Sequence, residues 1–144
     1  MSKTVLGGIN NGGQRLRGVG APTATDDGVP RSFIRYDFSF GWSGKPIVGV
    51  PILDFLSLIS FALPINFGDS LGLATVGAQT AATLPFTRNG TQVGTVSFAA
   101  GDTVPTFTMA AALSILRGDR LLLMPPSTQD GTLSDLTFSF AGVR

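Results

Sequence analysis

From Tyr36 onward, apolar and polar residues take turns. "YDFSFGW" puts Tyr36, Phe38, Phe40 and Trp42 on one parity and Asp37, Ser39 and Gly41 on the other. A period of two predicts a strand with one buried face and one wet face. The run "PIVGVPILDFLSLISFALPINF", Pro46 to Phe67, is apolar on both parities. It predicts a pair of buried strands, with "ILDFLSLISFAL" as a central strand covered on both faces. Pro51, Asp54 and Pro64 interrupt it, leaving "FLSLISFAL" well short of the ~20 residues a spanning helix needs, so no membrane insertion is expected. In "ATLPFTRNGTQVGTVSFAAGD" the Asn89-Gly90 pair tolerates the left-handed angles of a tight hairpin, and apolar strands flank it. Leu84 and Phe86 share a face before the turn. After it, Val93 falls on one parity and Val96 and Phe98 on the other, which predicts a β-bulge at Gly94. "TVPTFTMA" alternates through Phe107 and Met109, with Pro105 marking an edge strand or a bulge. "GDRLLLMPP" reads as a short strand. "LSDLTFSFAGVR" ends the chain with Leu136, Phe138 and Phe140 inward. Strands at this spacing, separated by turn signals, predict an all-β fold, an antiparallel β-sandwich of jelly-roll type.

Residues 1–35 read differently. Isolated apolar positions (Val5, Leu6, Ile9, Leu16 and Val19) sit among Gly and Asn with no sustained period. Pro22 marks a turn, and Thr25, Asp26 or Asp27 supplies a side-chain cap for a short helix with Pro30 in its first turn. Val29, Phe33 and Ile34 then lie close to one face. A helix of about two turns needs a partner to persist. The expected division is an extended arm with a short helix, residues 1–35, followed by a sandwich domain, residues 36–144. The arm's candidate attachment and oligomerisation residues are Leu16, Val19, Val29, Phe33 and Ile34.

Composition sharpens this picture. Nineteen glycines and nine prolines in 144 residues argue against a helical bundle. Mean hydropathy is +0.32, which asks for surface buried against other chains or against a membrane. A net charge of +1, with Arg15 and Arg17 the one close basic pair near the start, gives no support for nucleic-acid binding. The first thirteen residues lack an apolar core, so no secretory signal is expected.

The chain holds neither cysteine nor histidine, which removes disulfides, thiolate sites and the usual general base. Lys3 and Lys45 are the two lysines. The carboxylates Asp69, Asp102, Asp119 and Asp130 sit at turn positions, where Asp normally bonds its own backbone. Their spacing fits no EF-hand. "RGD" at Arg117–Asp119 reads as a turn entering "RLLLM", and "GGINNGG" lacks the strand and helix that frame a phosphate loop. No enzyme activity, cofactor or metal is expected. Trp42, near a strand end, is the candidate ligand contact, since a flat aromatic face stacks on sugar rings. Its competing reading is a core member of its strand.

"NGGQRLRGVGAPTATDDGVPRSFI" resembles the short repeat of bacteriophage tail-fibre and other virion-attached proteins. In that repeat an N-G-x-R-I/L strand leads to a Pro-Thr-Ala-x-Asp turn and a short helix ending on an aromatic. Asn11 to Gly13, Arg15-Leu16, Val19, Pro22-Thr23-Ala24, Asp26 or Asp27 and Phe33-Ile34 carry the likeness, while Pro30 departs from it. The stretches "FTRNGTQVGTVSFAAGDTVPTFTM" and "GDRLLLMPPSTQDGTLSDLTFSFAGVR" are similar to the β-sandwich that often ends such fibres. The resemblance implies a non-enzymatic virion structural protein made in the host cytoplasm: a small homotrimeric tail fibre or receptor-binding component. Its partners would be its own copies, other virion proteins and a host surface glycan or receptor. A head-decoration or capsid-fibre protein and a free carbohydrate-binding module are the alternatives.

Overall fold

A computed structural model of the chain describes residues 34–144, of which Arg35–Arg144 forms one compact unit. The expectations placed on residues 1–33, including the short helix and Leu16, Val19, Val29 and Phe33, lie outside the described residues. Ile34 is half-buried and belongs to no helix or strand.

The described chain is all-β, with one 3-10 turn at Ile65–Phe67. Its strands in chain order are β1 (Phe38–Trp42), β2 (Leu53–Leu56), β3 (Phe61–Leu63), β4 (Leu71–Val76) and β5 (Ala82–Arg88). They continue with β6 (Thr91–Phe98), β7 (Thr106–Thr108), β8 (Leu113–Ile115), β9 (Arg120–Leu123) and β10 (Ser134–Phe140). Among these residues no helix is long and apolar enough to cross a membrane.

The pairings are nested. Phe38 faces Phe140, Leu53 faces Leu123, Phe61 faces Ile115, the Ala74 N–H donates to Thr103 O, and Ala82 faces Phe98. The innermost link is the Asn89-Gly90 turn. The chain is therefore one long antiparallel ribbon closed at Asn89-Gly90 and then rolled up. Rolling adds the lateral pairs β10·β4, β5·β9 and β6·β7. A three-stranded sheet β1-β10-β4 and a five-stranded sheet β2-β9-β5-β6-β7 result, with β3-β8 as a separate pair. This is the jelly-roll arrangement that the strand pattern predicts.

What drives the rolling is burial. Alternation puts Leu136, Phe138 and Phe140 of β10 on one inner face and Leu84, Phe86, Val96 and Phe98 of β5 and β6 on the other. Rings bridge the two sheets: Phe38 stacks on Phe55 at 4.5 Å, and Phe86 meets Phe140 at 5.3 Å between centroids. Each such pair adds to area burial by about 0.5–1.5 kcal/mol.

Asn89 and Gly90 have φ of 51° and 86°, as a two-residue hairpin requires. Asn89 also ties the tip to the neighbouring turn, since its N–H donates to Arg120 O and its Oδ1 accepts the Arg120 N–H, both at 2.9 Å. We expect Gly90→Val to cost roughly 1 kcal/mol or more, because a β-branched residue resists positive φ. An unchanged urea midpoint would show that the tip contributes nothing.

The bulge occurs where the register shifts between Phe86 and Thr87, whose partners are Gly94 and Gln92. Val93 is thus the extra residue, one position before the expected glycine. Gly94 has its own role: a Cβ there would lie 2.7 Å from Thr108 O and 2.8 Å from the Phe67 ring. Pro105 precedes β7, an edge strand, as anticipated.

One expectation fails. "ILDFLSLISFAL" is not a central strand covered on both faces. It is two short strands, β2 at the edge of the five-stranded sheet and β3 paired to β8, with a turn between them. The Ser57 hydroxyl donates to Ile59 O at 2.6 Å within that turn. The continuous apolar run reflects exposed corner residues, Leu56 and Leu58, added to the inward Leu53, Phe61 and Leu63.

Candidate functional site

The carboxylates are the first place to look for chemistry, and Asp54, Asp119 and Asp130 are engaged structurally. Asp130 is the most constrained. It is buried, and its Oδ1 accepts the N–H groups of Gln79, Thr132 and Leu133 at 2.8–2.9 Å, while Oδ2 accepts the Thr80 N–H at 2.9 Å. Burial pushes its pKa up, but the four backbone donors outweigh that and hold the carboxyl well below the usual range. The bond to Thr132, two residues on, is the turn pattern that its sequence position predicts. The cleft of about 360 Å³ above it is lined by Thr80, Thr83, Ser127 and Gln129. Gln129 in turn donates to Pro46 O. Asp130 is a brace joining two loops.

Asp119 of the "RGD" turn is similarly occupied. Its Oδ2 accepts the Leu116 N–H and its Oδ1 accepts from Asn89 Nδ2, both at 2.9 Å, and these two bonds lower its pKa. Arg117 donates to Leu58 O at 3.2 Å. The triplet thus folds as a turn. Asp54 sits across from Arg120, whose guanidinium grips both of its oxygens and holds its pKa down. Asp54, Asp119 and Asp130 are thus all pushed toward the ionised form. A general acid needs the opposite shift. Among the described residues no three acids gather as a metal site.

Trp42, the candidate ligand contact, ends β1 half-buried, packed on the margin of the core. Its indole N–H donates to Lys45 O at 3.2 Å. The structure thus brings Trp42 to the turn that holds Lys45.

The distinctive chemistry of the surface is apolar. Leu71 is 73% exposed, and Leu73 and Val104 are exposed with it. They flank an apolar groove of about 360 Å³ on the outer face of the three-stranded sheet, walled on the β10 side by Thr137 and Ser139. The β4 sequence is "LGLATV", and its leucines point outward. Gly72 and Ala74 face in, because a Cβ on Gly72 would lie 2.7 Å from Pro105 Cγ and 2.8 Å from the Phe138 ring. The inner space at β4 is already filled by those two groups, so the small residues go inside and the leucines outside.

A second apolar patch lies at the β2 end. Leu56 points outward, Leu58 is 66% exposed, and Leu116 is exposed in the facing turn. The two turns are laced by Ser57 N–H to Asp119 O at 2.9 Å and Gly118 N–H to Ser57 O at 2.8 Å. Ile47, Val48 and Val50 form a third exposed group in the loop between β1 and β2. The expectation of buried strands over Pro46 to Phe67 fails at Ile47, Val48, Val50, Leu56 and Leu58, and pattern reading did not single out Leu71, Leu73, Val104 or Leu116. The signal available was the high mean hydropathy, which asked for covered surface without saying where.

Compared with family models, curated proteins and solved structures, the chain matches none.

Proposed function

We propose that this protein is a non-enzymatic structural component of a bacteriophage virion, a small tail fibre or receptor-binding part that works as a homotrimer. The observation that carries the structural half is the pairing of a filled aromatic core with large leucines and valines turned outward, on a chain whose constrained carboxylates are all structural. Exposed apolar side chains of this size gain by burial, at about 25 cal/mol per Å², only when another surface covers them. The virion half rests on the likeness of residues 11–34 to the tail-fibre repeat. The sandwich then displays its loops toward the host, and the segment before Arg35 attaches to the particle.

The test is deletion of residues 1–34 in the phage. The sandwich should fold with an unchanged melting curve, while the protein disappears from purified particles. Electron microscopy of the intact particle reads the location: density at the tail supports the fibre reading, and density at the capsid replaces it with head decoration. Normal copy number after the deletion would remove the arm as the anchor.

A further inference from the structure

We propose that copies of this chain join head to tail, the β4 groove of one sandwich receiving the leucine corner of the next. This deepens the self-association part of the functional reading and rests on it. The groove is the outer face around Leu71, Leu73 and Val104, and the corner is Leu56, Leu58 and Leu116.

The argument begins with placement. β1 of the three-stranded sheet stacks over β2 of the five-stranded sheet through Phe38 and Phe55. β4 is the other edge of the three-stranded sheet, so it lies away from β2. Leu71 and Leu73 point outward from one sheet, and Leu56 points outward from the opposite one, on the far edge. Outer faces of a sandwich look in opposite directions. The two apolar patches therefore lie on different faces of one body.

That geometry selects the symmetry. A two-fold dimer uses one patch against itself and leaves the second bare. A heterologous contact uses both on every copy, and it closes into a ring or runs on as a filament.

Charge points the same way. Arg35, Asp37 and Asp69 border the groove beside Leu71, two carboxylates against one guanidinium. Asp102, two residues before Val104, adds a further negative charge. At the corner, Arg88 donates to Ser114 O and Arg117 to Leu58 O, while Arg120 pairs with Asp54 and Asp119 closes the turn. That is three guanidiniums against two carboxylates. An acidic rim thus meets a basic one, which orients the encounter and disfavours groove on groove.

The experiment uses the full chain and two single variants, Leu73→Glu in the groove and Leu58→Glu in the corner, with mass read by light scattering after gel filtration. Each variant alone should run as a monomer. Mixed in equal amounts they should form a pair of twice the chain mass, because Leu73→Glu keeps its corner and Leu58→Glu keeps its groove. Loss of association by Leu73→Glu alone, with Leu58→Glu still assembling, would mean that the groove pairs with itself and would overturn the head-to-tail contact. Wild-type mass for both variants would overturn it while leaving self-association standing. A monomeric wild-type chain would overturn both. Melting curves of each variant confirm folding, and Leu73→Thr, polar but suited to a strand, substitutes if the glutamate prevents it. Particle location is read separately by imaging and does not depend on these masses.

Discussion

Replacing Phe140 by alanine is expected to be the most destabilising change in the sandwich, at about 3–5 kcal/mol. Phe140 is fully buried, and six rings surround it with centroids between 5.3 and 6.3 Å: Phe38, Phe40, Phe67, Phe86, Phe107 and Phe138. They come from β1, β5, β7, β10 and the 3-10 turn, so the side chain joins both sheets at their centre. A cavity among rigid rings collapses poorly, which places the cost high in the range for such truncations. A domain of this size has only about 5–15 kcal/mol to lose. The melting temperature should fall by on the order of 10–20 °C. Phe40→Ala, at a half-buried position on the edge strand, should cost less than half as much. Equal costs at the two positions would show that the core is not centred on Phe140.

The second large effect is expected at Asp130. Asp130→Ala leaves the N–H groups of Gln79, Thr80, Thr132 and Leu133 without their acceptor. Unsatisfied buried donors cost about 1–3 kcal/mol each, partly recovered by entering water, so a loss of about 3 kcal/mol is expected at neutral pH. The acid dependence follows from the lowered native pKa. The unfolded carboxyl titrates near ~3.9, and the native one below the usual range. Between those values the unfolded state binds more protons than the native state, so stability drops as pH falls. The contribution is whole above the unfolded value and is lost as pH falls through the native one. Urea melts of wild type and Asp130→Asn should therefore differ by a constant amount from pH 7 down to about pH 4 and converge below it. A gap that stays constant to pH 2 would mean that the carboxylate's charge is not what the four donors hold.

Legibility differed from element to element. The β1 and β10 alternations, the Asn89-Gly90 turn and the edge position of β7 were readable because each rests on neighbours in sequence: parity, a left-handed dipeptide, a proline. The acids were readable as turn residues for the same reason. Asp130 was readable only in part. Its bond to Thr132 is local, but the Gln79 and Thr80 donors arrive from fifty positions away, and no spacing rule reports them. Trp42 was ambiguous in the sequence because a strand-end aromatic fits both readings, and it sits half-buried on the margin of the core with its N–H on Lys45 O.

By itself the sequence determined an all-β, antiparallel chain without histidine or cysteine chemistry, and an apolar content greater than one small core absorbs. Those properties are sums and short-range periods, which survive without coordinates. At β4 and at residues 53–63, tertiary structure alone decided which apolar residues go inside. At β4 the inner volume is taken by Phe138 and Pro105, so Gly72 fits there and Leu71 and Leu73 are turned out. At residues 53–63 an unbroken hydrophobic run became an edge strand, a corner and a second strand, with Leu56 and Leu58 left in the open. Period-two patterning says that a strand has two faces. It does not say which face the rest of the chain fills, because that depends on volume supplied by residues far away in sequence.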